Sequence, residues 1–326
     1  EDITSIAINK LNEVENKIKE INKYMEQTKE PNDDIGIHCV TPYECPFFKY
    51  CTKKLKSPNV FDIGWRVTFD KKLDMYYSGN IYYKDLLNKF NDKANEQILF
   101  ELNNLPPKIN KDSIKSLVDT FKYPLYFLDF ESYQVSIPEI DGTSPYQQIC
   151  FQYSLHYYLE ENGALYHKEY LSDDYNSNPM YGLCKQLCED IPMNSCVLVY
   201  NQAFEITRLK EMAKLFPEMS DHLLNIADNI IDLLPPFRNH DYYVKEMGGS
   251  ASIKKVLPAL FPNDPSLDYH NLEQVHKGDE ASNAYLSLKD LTKEEKQVLR
   301  HNMLKYCELD TYAMVKIYEK LIEVIK

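Results

Sequence analysis

The sequence predicts an α/β fold: a mixed β-sheet flanked by helices, preceded by a mainly helical segment that carries cysteines. Three observations predict it. Tyr126-Phe127-Leu128-Asp129-Phe130-Glu131 is an apolar, aromatic run ending in two acids, as in a strand inside a sheet. Ile149 to Leu159 and Leu165 to Leu171 read as two further strands joined through Glu161-Asn162-Gly163, since Asn-Gly tolerates the positive φ of a tight hairpin turn. After them, short apolar runs alternate with helical periodicity. A meander of strands followed by such alternation fits a mixed-sheet layer.

Residues Ile3 to Glu26 place Ile3, Ile6, Leu11, Val14, Ile18, Ile21 and Met25 at helical spacing, with charges on the other face, so this helix calls for a partner surface. Pro31-Asn32-Asp33-Asp34 ends it. Gly36 to Cys51 is a loop dense in cysteine and aromatics, and Asn59 to Lys108 reads as short helices and turns, including Lys89 to Asn103. Asn110-Lys111-Asp112-Ser113 marks a helix start, which sets the expected boundary between residues 1–109 and 110–326. Cys196 to Tyr200 and Asn229 to Leu234 are the remaining strands. Tyr181 to Asp190, Phe204 to Leu215, Ser252 to Leu260 and Ala281 to Leu288 are helices, and Thr292 to Ile325 is a long helical region expected to break once.

Composition narrows the function. A chain of 326 residues that is 44% hydrophobic can bury a sizeable core, and no apolar run reaches the roughly 18–20 residues that span a bilayer. A net charge of −13 argues against salt-driven, non-specific binding along a nucleic-acid backbone. It leaves room for an enzyme that holds phosphate through metals and a small basic patch. The charged, signal-less start and cysteines lying in core-like segments point to a reducing cytoplasm. The first residue is Glu1 rather than Met, as expected of a piece of a longer protein.

Asp129 and Glu131 lie two apart on a strand and so share a face, with Leu128 and Phe130 turned to the other layer. Their mutual repulsion is relieved by a divalent cation held by carboxylate oxygens, or equally by a frayed strand end in water. Glu205 falls in the first turn of a helix that follows a strand, where an acid also suits the helix dipole. Tyr306 and Asp310 are four apart and share a helix face beside Leu309, Ala313 and Met314. Four carboxylates together suit two-metal phosphodiester chemistry, in which two cations sit about 3.5–4 Å apart and a tyrosine hydroxyl orients the water. Cys39, Cys45 and Cys51 are spaced too widely for the usual zinc pairs, and a fourth ligand is lacking locally unless His38 serves. Gly248-Gly249-Ser250 is a turn before a helix whose N-terminus could meet a phosphate, with Lys254 and Lys255 as local positive charge. Some of the 26 tyrosines could stack on unpaired bases. His156 and Trp65 read as structural.

In order along the chain, these acids resemble the three motifs of the DEDD 3′-to-5′ exonucleases, which share the ribonuclease H-like fold. Asp129 and Glu131 match Asp-x-Glu, Asn201 to Glu205 matches the second motif, and Tyr306 with Asp310 matches the Tyr-x-x-x-Asp form of the tyrosine subclass. The second motif ordinarily ends in Asp, so Glu205 departs by one methylene. More narrowly, Tyr123 to Glu131, Pro145 to Gln148, Ser252 to Pro258 and Tyr306 to Thr311 resemble a bacterial family known as domain of unknown function 2779. The Cys39–Cys51 segment is similar to the cysteine-bearing tail of RecB-like nucleases, which hold a [4Fe–4S] cluster and carry a further cysteine and catalytic motifs upstream.

The resemblance implies a metal-dependent 3′-to-5′ exonuclease acting on single-stranded DNA or RNA 3′ ends. Asp129, Glu131, Glu205 and Asp310 would hold two Mg²⁺ or Mn²⁺ ions, and Tyr306 would position the water. It also implies a [4Fe–4S] cluster or zinc at Cys39, Cys45 and Cys51 and a RecB-like nuclease domain upstream. The alternative is a catalytically weak module of the same fold that binds a nucleic-acid end or a protein. A third reading centres on the cysteine segment as a structural or sensing element.

Overall fold

A computed structural model describes residues 2–173, 178–275 and 277–326. The chain divides into two units: Glu1–Phe61 with Thr68–Asp85, and Asp62–Val67 with Leu86–Lys326. In the first, the helix Thr4–Met25 forms where the apolar period places it, but none of its residues is buried, so its apolar stripe lies open. A small core of Ile35, Cys39 and Leu73 is closed by Phe48, Phe61 and Phe69, whose rings pack 5.5–5.7 Å apart.

The second unit carries the sheet. The helix Asp92–Asn103, which sequence reasoning grouped with the N-terminal segment, packs here: Gln97 accepts from Gly64 N–H, and Phe100 meets Tyr243 at 4.9 Å. Two short strands, β1 (Lys108–Ile109) and β7 (Tyr242–Tyr243), pair antiparallel. The main sheet contains β2 (Leu125–Tyr133), β3 (Ile149–Tyr158), β4 (Leu165–Leu171), β5 (Cys196–Val199) and β6 (Ile230–Asp232). Its order is β4-β3-β2-β5-β6. Strands β2, β3 and β4 pair antiparallel, while β5 and β6 run parallel to β2. The sheet is therefore mixed, as expected, and the hairpin joins β3 and β4 with Asn162 at φ +58°.

Alternation along β2 and β5 divides the core. Tyr126, Leu128, Phe130, Val197 and Val199 face one layer, made by helices Met180–Asp190, Ala203–Leu215, Ser220–Asp228 and Gly278–Ser287. Leu125, Phe127, Cys196 and Leu198 face the other, made by Lys111–Val118, Ile253–Leu260 and Lys293–Ile325. The last helix runs unbroken for 33 residues, which corrects the expected interruption. It holds no Gly or Pro, and Thr292 with Glu295 forms a reciprocal capping box that fixes its start. Among the described residues, no helix is long and apolar enough to cross a membrane.

Candidate metal site

Asp129 and Glu131 sit near the end of β2. The register pairs Phe127 with Leu198, so two residues further on Asp129 comes level with Tyr200, where β5 gives way to a turn. A register shift at Glu131/Ser132 marks a β-bulge at the second acid. Asn201 takes φ +76° in the turn, its N–H bonded to Asp232 Oδ1 at 2.8 Å, and Glu205 follows in the first turn of the next helix. Tyr306 and Asp310 come from the last helix, which crosses the sheet face shared by Asp129 and Glu131.

The four acids act on one another. Asp129 is partly buried, whereas Glu131, Glu205 and Asp310 are all at most 8% exposed. Burial, then the charges of Asp310, Glu131 and Glu205, hold the Asp129 carboxyl well above its ordinary range, and Lys254 pulls it back. Burial and the charge of Asp310 push Glu131 up to about 8, again opposed by Lys254. Burial pushes Glu205 up to about 8, with its own backbone N–H and Arg208 opposing and Asp232 reinforcing. Asp310 rises only to about 6, because burial is offset by Tyr269, Lys254 and Tyr306. Burial and the carboxylates around it push the Tyr306 phenol upward, so it stays protonated and can donate.

Several partners were not singled out from the sequence. Tyr269 donates to Asp310 Oδ1 at 2.6 Å. The Lys254 ammonium lies 3.3 Å from the Tyr306 hydroxyl and within 5.1–5.3 Å of the centres of both tyrosine rings. Lys254 had been noted only as local positive charge, and the structure gives it a place at the acids. The helix Gly278–Ser287 brings its N-terminus to Glu131: a β-carbon on Gly278 would lie 3.7 Å from Glu131 Oε2, and Ser282 Oγ donates to Ser132 O at 2.6 Å. Its dipole favours that carboxylate. Asp232 accepts from both Asn201 and Leu234 N–H groups and so sets the turn that delivers Glu205.

The donor set fits a hard divalent cation. Every carboxylate is an oxygen ligand, and Glu205 Oε2 is buried with no hydrogen-bond partner among the described residues. Cys307 has its sulfur within 4.8 Å of ligand oxygens of Asp129 and Glu131. Burial and those acids keep the thiol protonated, and it lies 3.9 Å from Asp129 O, so it serves as packing beside a hard-ion site.

Other expected features fall elsewhere. Cys39 is buried, Cys45 partly buried and Cys51 exposed, and all are free thiols. Among the described residues their sulfurs do not belong to a group of ligand atoms within 4.8 Å of one another. The Gly248-Gly249 turn has a packing reason. Both glycines have positive φ, and the Gly249 carbonyl presses where a side chain on Gly64 would sit. Trp65 packs on His240 with ring centres 3.9 Å apart, as a structural residue should.

Residues 126–252 match the family described as Domain of unknown function (DUF2779). The chain is similar to Uncharacterized protein MG366 of Mycoplasma genitalium, 30% identical over 232 residues, covering 66% of this chain and 34% of the relative. Its homolog in Mycoplasma pneumoniae is 28% identical over 223 residues, covering 63% and 33%. Uncharacterized protein UU173 of Ureaplasma parvum is 26% identical over 238 residues, covering 65% and 34%. The chain thus spans about a third of the length of the curated relatives it matches. No solved structure matches it.

Proposed function

We propose that this chain is a metal-dependent 3′-to-5′ exonuclease of the DEDD type on a ribonuclease H-like domain. The observation that supports the reading is that Glu131, Glu205 and Asp310, from three distant stretches of sequence, all bear electrostatically on the Asp129 carboxyl, with ligand oxygens of Asp129 and Glu131 within 4.8 Å of one another and Asp310 raising the Tyr306 phenol as well. The sheet order, with an antiparallel hairpin on one side of β2 and two parallel strands on the other, supports the fold assignment.

Held by these oxygens, Mg²⁺ or Mn²⁺ would activate the attacking water and offset charge on the scissile phosphate. The chain's own groups do the rest. The four carboxylates fix the site's charge and spacing, and Glu205 reaches from its helix with the longer of the two acidic side chains. Tyr306, kept protonated by burial, offers a hydroxyl that orients water. Tyr269 restrains Asp310, and Lys254 lends positive charge next to the phenol. A groove of about 770 Å³ opens beside Lys254 and Tyr269, lined also by Lys255 and His270.

The test is a digestion panel of single-stranded DNA and RNA labelled at either end, with added Mn²⁺. The reading expects shortening from the 3′ end, lost in Asp129→Asn. Ends left intact by a protein that measurably binds them would instead favour the non-catalytic binding module.

A further inference from the structure

We propose a second metal site, for a borderline-soft divalent cation of the zinc class, formed by His156, His167 and Glu308 and separate from the carboxylate cluster. The β3–β4 register sets His156 directly opposite His167, and their rings pack with centres 4.4 Å apart. Glu308 arrives from the last helix. One ligand atom from each residue lies within 4.8 Å of the others, and Glu308 Oε1 is 4.0 Å from His167 Nδ1.

The hydrogen-bond network behind the rings distinguishes this group from a satisfied pair of core histidines. Thr311 Oγ1 contacts Glu308 O at 3.1 Å, Ser154 Oγ at 2.7 Å and His156 Nδ1 at 2.8 Å, and Ser154 Oγ contacts His167 Nε2 at 2.9 Å. A carbonyl can only accept, so the Thr311 proton goes to Glu308 O. Ser154 must then donate to Thr311, and both imidazoles must donate to the hydroxyls. That arrangement satisfies all four contacts and leaves His156 Nε2 and His167 Nδ1 as lone pairs. The His167 Nδ1 lone pair then lies 4.0 Å from Glu308 Oε1 with no proton between them, and His156 keeps an unprotonated nitrogen for the same group. An imidazole whose other nitrogen donates to a fixed acceptor is the usual form of a metal ligand.

Two imidazoles and one carboxylate suit zinc-class ions, whereas all-oxygen sets suit Mg²⁺ and Mn²⁺. Tetrahedral bonds of about 2.0–2.2 Å need ligand atoms somewhat closer than the present spacing, a closure within side-chain reach. Glu308 keeps its other oxygen on Lys305 at 2.6 Å, and a groove of about 330 Å³ lined by His156, Lys305, Glu308 and Tyr312 gives entry and room for a fourth ligand. A bound ion would fasten the last helix to the β3–β4 hairpin. Thr311, the hub of the network, directly follows Asp310.

The test uses the whole chain, stripped of metal, titrated with Zn²⁺ by calorimetry and with Co²⁺ by visible absorption. Cobalt on nitrogen and oxygen lacks the intense near-ultraviolet thiolate band that binding at Cys39, Cys45 or Cys51 would give. Wild type is expected to take one equivalent of Zn²⁺. His167→Gln and Glu308→Gln should each weaken it at least about tenfold, and Ser154→Ala about tenfold through ring orientation, while Asp129→Asn leaves it unchanged. Circular dichroism shows that the variants fold. Absence of Zn²⁺ binding, or affinity equal in wild type, His167→Gln and Glu308→Gln, would overturn the proposal.

Discussion

Tyr269 donates its phenolic proton to Asp310 Oδ1 at 2.6 Å, across 41 residues of sequence. The bond ties a single-turn 3-10 segment, Tyr269–Asn271, to the helix that delivers the last acid of the site. It is also one reason why the Asp310 carboxyl, at about 6, is raised less than those of Glu131 and Glu205, both at about 8. A hydrogen bond to a charged group contributes about 1.5–3 kcal/mol. Tyr269→Phe should therefore lower the Tm in chelator by several degrees and lower kcat by about tenfold or more on a 3′-labelled substrate. Unchanged kcat would show that Asp310 needs no such restraint.

Asp129 sits among three other acids, and charge repulsion there disfavours the metal-free fold. A carboxyl that burial and neighbouring charges hold above its unfolded value costs stability at neutral pH, and a neutral amide removes that cost. Asp129→Asn should raise the Tm in EDTA by roughly 2–4 °C while lowering activity about a thousandfold, given that metal-ion catalysis contributes several kcal/mol. Calorimetry and end-labelled digestion read the two effects. A variant that is both inactive and less stable in EDTA would point to a structural role for Asp129.

Glu205 stands where the resembling motif has Asp, and its Oε2 is buried with no hydrogen-bond partner among the described residues. Glu205→Asp keeps the charge but withdraws it by one methylene from helix Ala203–Leu215. Because this helix start is fixed by Asp232 through Asn201 and Leu234, it cannot move inward to compensate. Activity with Mn²⁺ is expected to fall about tenfold, as misplacement of catalytic groups by about 1 Å can cost up to a hundredfold. Equal or higher activity would mean that the longer side chain is no part of this site's geometry.

His240 is 1% exposed, bonds the Glu96 carboxylate through Nδ1 and meets Trp65, the chain's one tryptophan, edge to face. Burial holds the imidazole below its ordinary range, although Glu96 pulls it upward. Burial raises Glu96, but the bonds from Lys108 and His240 outweigh that and lower it. Both folded values thus lie below their unfolded ones. As pH falls through about 6.5, unfolded chains take up a proton that folded His240 refuses, so stability falls with acidification. Glu96 adds a second loss at lower pH, below about 4.3. The acids of the cluster, raised in the folded state, contribute the opposite sign, so the His240 effect is read as a difference: the stability of wild type relative to His240→Gln, from urea midpoints followed by Trp65 fluorescence, should fall between about pH 7 and about pH 5. A slope unaltered in the variant would place the titration elsewhere.

Much of the site is legible in the sequence because its pieces obey local periods. Asp129 and Glu131 share a face by the strand's period of two, and Tyr306 and Asp310 by the helix's four. The hairpin is equally local, since Asn162-Gly163 needs only its neighbours to turn. Tyr269 and Lys254 are not legible as partners of these acids. They meet the acids only after the chain folds back, so no local period pairs them with Asp310 or Tyr306. Asp232 is hidden for the same reason, as its bond to the Asn201 N–H spans 31 residues. His156 was passed over as structural, although the Asn-Gly hairpin put its pairing with His167 within reach. Conversely, the even spacing of Cys39, Cys45 and Cys51 drew attention to thiols that the fold does not gather.

The central claim is that four carboxylates form one cradle for hard cations, and Mn²⁺ binding to the whole chain tests it most directly. Titration followed by electron paramagnetic resonance should show bound Mn²⁺ in wild type, loss of at least one equivalent in Asp129→Asn and in Asp310→Asn, and an unchanged amount in His167→Gln. Mn²⁺ binding that survives both Asp129→Asn and Asp310→Asn, or none in wild type, would contradict it.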